Sequence, residues 1–178
     1  MKKRFFALVL CLMLLTGIAG AQAQTVVPNV TDLLFKYTEL DLNPYKGKTV
    51  LLNFFTEWCY YCMQEMPDLE RVNDMYDPEQ FQMVLVHVWD GEDETATENV
   101  KQKYGMEDMM FFEDKDRMVA SVVGLMGYPA TIVVKPNGDL ATAVNSMVTE
   151  EWLTTVLDSL EVGRAPAEMP AEEVNEPV

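Results

Sequence analysis

Side chains that crosslink the backbone or bind metals are rare in this chain, which has three cysteines and one histidine among 178 residues. A structural zinc site usually takes four Cys or His ligands. The chain offers one Cys-x-x-Cys pair, Cys59 and Cys62, with no second pair and no second histidine. A zinc site and a framework of several disulfides are therefore both disfavoured.

Basic residues are also scarce, since 13 Lys and Arg stand against 29 Asp and Glu, for a formal net charge of −16. Nucleic acids and anionic membrane surfaces are bound mainly through Lys and Arg. The charge balance therefore argues against both classes of partner. A surface of this kind favours solubility and does not by itself name a partner.

Long apolar runs are absent except at the N-terminus, where one extends from Phe5 to about Gly20. It follows the basic residues Lys2-Lys3-Arg4 and precedes Ala21-Gln22-Ala23. This order predicts a secretory signal peptide over residues 1–23. The run is shorter than the roughly 20 residues that a membrane-spanning helix needs. An uncleaved segment that serves as a membrane anchor is the alternative.

Cleavage after residue 23 would remove Cys11 and leave Cys59 and Cys62 as the only cysteines. The predicted destination is extracytoplasmic, in the periplasm or cell envelope, where disulfides persist. The mature chain would then form one domain over residues 24–162, long enough to bury a core. Residues 163–178 are rich in Pro, Ala and Glu and have no aromatic side chain, which predicts a disordered tail.

Between these ends, apolar runs alternate with segments of helical spacing. Strands that alternate with helices predict an α/β fold with parallel neighbours. A turn at residues 136–139 predicts that the last two strands are antiparallel. The expected architecture is a mixed β-sheet with helices on both faces. The predicted strands are 33–40 at a sheet edge, 49–55, 81–88, 130–134 and 139–144, and the predicted helices are 60–75, 94–104, 116–123 and 149–160.

Redox chemistry is indicated by the pentapeptide Trp58-Cys59-Tyr60-Tyr61-Cys62, which follows the predicted strand 49–55. If Cys59 opens the next helix, both sulfurs lie on its first turn, because positions i and i+3 share a face. The first turn presents unpaired backbone N–H groups and the positive end of the helix dipole, which stabilise a thiolate. A thiolate is the nucleophile in thiol–disulfide exchange. Cys59 is expected to be the more exposed and more acidic thiol.

The order of strand, Trp-Cys-x-x-Cys, helix and a distant Tyr128-Pro129 before a strand resembles the thioredoxin superfamily. The segment TVLLNFFTEWCYYCMQEMPDL at residues 49–69 resembles the TlpA/ResA-like thiol–disulfide oxidoreductases of the cell envelope, as do GYPAT at 127–131 and PNGD at 136–139. The resemblance covers roughly residues 33–160.

This resemblance implies a thioredoxin-like fold and an enzyme that exchanges dithiols and disulfides with protein substrates. It implies that no metal or organic cofactor is needed. The implied direction is reduction of protein disulfides, with cytochrome c maturation as a candidate role. Reduction outside the cytoplasm would require a membrane thiol carrier as electron donor. A monomer is expected.

The resemblance also implies roles for single residues. Cys59 forms the mixed disulfide and Cys62 releases it. Tyr128-Pro129 is implied to be a cis peptide that faces the cysteine pair and helps to dock the substrate backbone, with an ordinary trans loop proline as the alternative. Trp58 and Tyr60 flank the attacking thiol and are expected to border the substrate groove. For Trp58, a plain packing role is the alternative.

Two residues bear on proton transfer. Asn53 stands six residues before Cys59, where thioredoxins place a buried acid. Because an amide cannot relay a proton, Asn53 is expected to satisfy hydrogen bonds in the core. Glu92 resembles the active-site glutamate of ResA-like proteins, and a desolvated carboxylate there would exchange protons during turnover. A solvated loop acid is the alternative for Glu92.

Three other functions stay open on the sequence alone. Tyr60-Tyr61 replaces the Gly-Pro or Pro-Pro that many relatives carry between the cysteines, so a thiol oxidase or isomerase is one alternative. A Cu(I)-binding thioredoxin-like carrier that uses His87 with the cysteine pair is another, although a hydrogen-bonded His87 packed within the sheet is favoured. A redox-silent binding module with an acidic surface is the third.

Overall fold

The computed structural model describes residues 29–91 and 94–166. The predicted signal segment 1–23, Glu92, and residues 167–178 of the predicted tail lie outside the described residues. Within the described ranges, no helix combines the length and the apolar composition needed to cross a membrane.

A five-stranded sheet with the order β3-β2-β1-β4-β5 forms the centre of the molecule. β1, β2 and β3 run parallel, β4 is antiparallel to β1, and β5 is antiparallel to β4. The predicted mixed sheet and antiparallel final pair are confirmed. The strands are β1 Thr49–Phe55, β2 Phe81–Val88, β3 Met110–Asp114, β4 Ala130–Val134 and β5 Leu140–Val144.

Over residues 29–91 and 94–166, five α-helices and one short 3-10 helix precede, connect or follow the strands. The predicted helix 60–75 is confirmed at both ends, and the other three predicted helices are confirmed with shifts of one or two residues at their ends. The helices are α1 Val30–Tyr37, α2 Tyr60–Met75, α3 Ala96–Tyr104, α4 Met118–Val122 and α5 Glu150–Ser159, and the 3-10 helix is Asn43–Tyr45.

The direction of β4 corrects the prediction that residues 130–134 form a parallel strand. β3 is parallel to β1 through β2, so β1 and β3 finish at the same end of the sheet. Ala130, the first residue of β4, pairs with Phe54 near the end of β1, and Val134 pairs with Val50 near its start. The chain therefore enters β4 from the end at which β3 finished. The connection through α4 does not cross back to the opposite end of the sheet, as a parallel strand would require.

The predicted edge strand at 33–40 is wrong, because residues 30–37 form α1. The Asn29 side chain accepts a hydrogen bond from the Asp32 backbone N–H at 3.0 Å and caps the helix. Val30 and Leu34, one helical turn apart, are both buried. The observed edge strand on the parallel side is β3, which was not predicted. It pairs with β2 and is mostly half-exposed.

Side chains alternate along β1 and divide the core into two layers. Leu51 and Phe55 belong to the layer that includes α2 and α5, whereas Leu52 and Phe54 belong to the layer that includes α1 and α4. Both faces are thus covered by helices, as predicted, and β1 is buried along its whole length. By the same alternation, Asn53 points toward α2.

Candidate active site

The cysteine pair lies at the junction between β1 and α2. Cys59 is the N-cap of α2, and a disulfide joins it to Cys62. The Cys62 backbone N–H donates to Cys59 Sγ at 3.2 Å. In the dithiol form, this donor and the N-terminus of a 16-residue helix would stabilise negative charge on Cys59. Cys59 is 5% exposed and Cys62 is fully buried, so Cys59 is the more exposed sulfur of the pair.

Three exposed aromatic side chains surround this disulfide. Trp58, Tyr60 and Tyr61 are 60%, 68% and 61% exposed, respectively. Tyr60 and Tyr61 meet edge to face at 5.4 Å between ring centroids. Trp58 lies outside the core and makes an edge-to-face contact of 6.3 Å with Tyr128. Exposed rings beside a reactive sulfur offer contact area to another molecule.

The loop before β4 meets the cysteine pair at the same end of the sheet. The peptide bond between Tyr128 and Pro129 is cis. The next residue, Ala130, pairs with Phe54 of β1, five residues before Cys59. The Trp58–Tyr128 ring contact joins the residue before Cys59 to the residue before Pro129. The sheet therefore brings two segments together that are about 70 residues apart in the sequence.

Glu65, a buried carboxylic acid on α2, was not singled out from the sequence. Glu65 is 1% exposed on α2, one turn after Cys62. Its Oε1 accepts from Asn53 Nδ2 at 2.7 Å, and its Oε2 accepts from the Val148 backbone N–H at 2.8 Å. Burial raises the pKa of Glu65 from 4.5 to about 7, although the two hydrogen bonds oppose that rise.

The position of Glu65 in the sequence was enough to predict that it lies on the buried face of the helix. It lies three residues after Cys62 and one before Met66, on the buried face of the helix. The expectation that Asn53 makes hydrogen bonds in the core is confirmed for its amide nitrogen, which donates both to Glu65 and to Thr131 Oγ1 at 3.2 Å. Asn53 therefore holds an acid in the core from the neighbouring strand.

Arg117 is a second residue of the site region that sequence reasoning missed. It precedes α4 and adopts a left-handed backbone with φ 59°, a conformation that is costly for a residue with a Cβ. Its Nη1 donates to Asp90 Oδ1 at 2.8 Å, and its Nη2 donates to the Tyr128 hydroxyl at 3.3 Å. No motif in the sequence announces these contacts. Glu92, two residues after Asp90, lies outside the described residues.

His87 packs within the sheet, as favoured from the sequence. It is buried in β2, its Nδ1 lies 2.8 Å from Thr97 Oγ1, and its ring stacks on Phe55 at 4.9 Å. Across residues 29–91 and 94–166, no group of three or more His, Cys, Asp and Glu side chains is arranged to hold a metal ion.

Comparison with known proteins relates the chain to a defined group. A model of the AhpC/TSA family matches residues 23–143. The thiol-disulfide oxidoreductase ResA of Geobacillus kaustophilus (strain HTA426) is 28% identical over 131 residues, which cover 74% of this chain and 72% of that protein. ResA of Bacillus subtilis (strain 168) is 27% identical over 124 residues, covering 70% and 68%.

A structural neighbour agrees with these relatives. The structure of MTB dsbF in its mixed oxidized and reduced forms has a TM-score of 0.59 and 25% identity, and the match covers 66% of this chain and 84% of that one. The predicted thioredoxin-like fold is confirmed, as is the class of thiol–disulfide oxidoreductase of ResA type with a Cys59–Cys62 pair. Since the family model spans well over half of the chain, this protein belongs to the AhpC/TSA family.

Proposed function

We propose that the protein is an exported reductase of protein disulfides that works through Cys59 and Cys62. The observation that carries the proposal is the placement of the disulfide. Its outer sulfur, on Cys59, accepts a backbone N–H at the start of a long helix. It lies among exposed aromatic side chains. This combines a stabilised thiolate with a surface that another protein can contact.

The reaction begins in the dithiol form. The Cys59 thiolate attacks one sulfur of a client disulfide, the client S–S bond breaks, and a mixed disulfide forms while one client thiolate leaves. The Cys62 thiolate then attacks Cys59 Sγ, which releases the second client thiolate and forms the Cys59–Cys62 disulfide. Two electrons pass to the client, and its two thiolates take up two protons. A dithiol donor must then reduce the enzyme, and a membrane thiol carrier is the proposed source.

Glu65 is proposed to accept the proton of Cys62. A carboxyl group with a pKa of about 7 is partly ionised near neutral pH and can take up and return a proton. Glu65 follows Cys62 by one turn on the same buried face, and its two hydrogen bonds fix its orientation. The proton-exchange role predicted for Glu92 remains a prediction. A Glu92→Gln variant with an unchanged pH–rate profile would remove it.

Substrate contact is proposed for Trp58, Tyr60, Tyr128 and Pro129. The exposure of Trp58 and Tyr60 supports this proposal, as does the position of Pro129 beside the end of β1. The signal pattern at residues 1–23 supports export to the periplasm or cell envelope. A role in cytochrome c maturation is carried by the resemblance to ResA-like proteins alone.

The experiment that tests the direction is a redox equilibrium with glutathione, read from the fraction of the Cys59–Cys62 pair that is oxidised. A reductase is expected to give a potential near the thioredoxin value of about −270 mV. A potential toward about −120 mV would instead identify a thiol oxidant, and the proposed direction would be abandoned.

A further inference from the structure

A groove of about 610 Å³ lies between the Trp58–Tyr128 pair and α4. Trp58, which lines it, is the residue next to Cys59 in the chain. Leu125 and Met126 contribute apolar lining. Met126 is 93% exposed, so nearly its whole side chain faces solvent. Since burial of one such side chain is favourable by roughly 1.5–3 kcal/mol, an exposed Met126 in a groove that Trp58 also lines suits a contact with a second molecule. The groove is continuous with the aromatic surface around Cys59, which Trp58 shares.

The shape of this groove is fixed by a chain of polar and aromatic contacts. Arg117 links Asp90, after β2, to the Tyr128 hydroxyl. Tyr128 in turn touches Trp58. Four segments of the chain are thereby tied together around the groove. The Arg117 charge is balanced by Asp90 at 2.8 Å, so the groove offers no unbalanced cation to an acidic ligand.

Charge is instead negative at the α4 end of the groove. Asp116 lines it and also lines an adjoining cavity of about 290 Å³. That cavity holds Glu39, Glu113 and Asp114 as well, with Lys115 as its cation. Glu113 pairs with Lys115, and Asp114 accepts backbone N–H groups of α4. Among the described residues, no cation forms an ion pair with Glu39 or Asp116.

We propose that this groove selects clients, and that its occupant is an extended cysteine-bearing segment with an apolar residue beside the cysteine and Lys or Arg further along. The apolar residue lies against Met126 and Trp58, and the basic residue lies near Asp116. A second copy of this chain does not suit the groove, because two chains of net charge −16 repel each other. The inference rests on the proposed function and names its class of client.

The test uses the reduced full chain and four short peptides that share one sequence except at two positions. Each peptide carries its cysteine as a disulfide with a chromophoric thiol, whose release reports the reaction. The residue beside the cysteine is Leu or Ser, and one residue further along is Lys or Glu. We expect the Leu/Lys peptide to react at least about tenfold faster than the Leu/Glu peptide at low salt, with the ratio approaching one in about 1 M salt.

Matched variants separate the groove from the overall charge. Asp116→Asn is expected to lower the Lys/Glu rate ratio about threefold, the effect of one screened charge at contact distance. Glu79→Gln removes the same charge from an exposed turn at the opposite end of the sheet and should leave the ratio unchanged. Met126→Ser is expected to lower the Leu/Ser ratio about threefold. Met110→Ser, at the start of β3, should not change it.

Two measurements keep this proposal separate from the proposed function. Reduction of a small uncharged disulfide by the wild-type chain tests the reductase alone. Quenching of tryptophan fluorescence in the oxidised chain by serine analogues of the peptides tests the groove without chemistry. Equal reaction rates for all four peptides would overturn the proposal that the groove selects clients, while leaving the proposed reductase function intact. So would equal quenching by the Lys and Glu analogues, or an equal loss of the ratio in Glu79→Gln and Asp116→Asn.

Discussion

At the scale of single residues, Cys59 and Cys62 differ in what they can reach. Cys59 Sγ receives a backbone N–H and keeps some contact with solvent, whereas Cys62 is fully enclosed in the layer formed with α2 and α5. A client disulfide can approach the first sulfur only. The asymmetry is a matter of position in the first helical turn, because both residues are chemically the same thiol.

The first prediction follows from this asymmetry. Cys62→Ser is expected to accumulate mixed disulfides with clients, because the thiol that resolves them is missing. Cys59→Ser is expected to lose reductase turnover and to trap nothing. Non-reducing gel electrophoresis after exposure to disulfide-bonded proteins measures both. Trapping by the Cys59→Ser variant would reverse the two roles.

Glu65 supports a prediction about pH. Its pKa is about 7 in the folded protein and 4.5 in the reference state, so the folded state binds more protons between these values. The contribution of Glu65 to the free energy of unfolding is fully present below about pH 4.5 and is lost as the pH rises through about 7. The free energy of unfolding is expected to decrease by at most about 3 kcal/mol. Urea unfolding of the oxidised chain at pH 5 and pH 7.5 measures it.

Glu65→Gln is expected to remove most of this pH dependence, because the amide does not titrate and can still accept one of the two hydrogen bonds. Glu79→Gln, an exposed carboxylate, is the control and should keep the wild-type dependence. A Glu65→Gln variant whose stability falls between pH 5 and 7.5 as much as that of the wild type would assign the effect to another group.

At the scale of elements, the strongest patterns were predictable and the weakest were not. β1 and α2 have the predicted ends because an unbroken apolar run and a long helical spacing leave few alternatives. α1 has only eight residues, and its apolar side chains fitted a strand equally well. β3 is half-exposed and short. Its hydrophobic pattern therefore predicts a strand only weakly, and its pairing with β2 defines it in the structure.

The same limit applies to the site. Cys59 and Cys62 could be singled out because their spacing carries a known chemistry. Pro129 could be singled out because Tyr128-Pro129 before a strand resembles a motif of a known family. Arg117 could not, since its partners Asp90 and Tyr128 are brought to it by the sheet and not by any local pattern. Glu65 lies between these cases. Its place on the buried face was readable, but the depth of its burial depends on packing against Asn53 and Val148.

α1 gives a prediction at this scale. Asn29 caps the helix through Asp32, and its Nδ2 also donates to Asn137 O and Asp139 Oδ1 in the turn between β4 and β5. Asn29→Ala is expected to lower the free energy of unfolding by about 1–2 kcal/mol, because the cap and the link to the turn are both lost. Chemical denaturation measures the loss.

The matched control for the cap is Asn99→Ala. Asn99 is exposed on α3, and its side chain bonds only Thr95 Oγ1 at 3.3 Å among the described residues. This variant is expected to change stability by less than about 0.5 kcal/mol. Equal losses for the two variants would mean that the Asn29 cap contributes nothing specific.

At the scale of the whole molecule, the chain closes on itself after α5. The first residues of the predicted tail, 163–166, pack back against the end of α2. The Asp77 N–H donates to Gly163 O at 2.9 Å, and the Ala165 N–H donates to Met75 O at 3.0 Å. Arg164 lies over the Tyr76 ring at 4.3 Å. The ordered fold therefore extends past the predicted domain boundary at residue 162.

This closure predicts different outcomes for two truncations. Removal of residues 163–178 is expected to lower the free energy of unfolding by about 2 kcal/mol, because two backbone hydrogen bonds of about 1 kcal/mol each are lost. Removal of residues 167–178 alone should leave it within about 0.5 kcal/mol of the full chain. Thermal and urea unfolding compare the three proteins. Equal stability of both truncated forms would show that the contacts of 163–166 are not stabilising.

The pairing of β1 with β4 has a consequence for motion. The cysteine segment continues from one of these strands and the cis-proline segment leads into the other, and the strands are hydrogen-bonded through the buried centre of the sheet. Amides in such a position exchange with solvent only when the whole domain opens. The distance between the two segments is therefore fixed. The client must change its own conformation to align its disulfide with the Cys59–Cys62 pair.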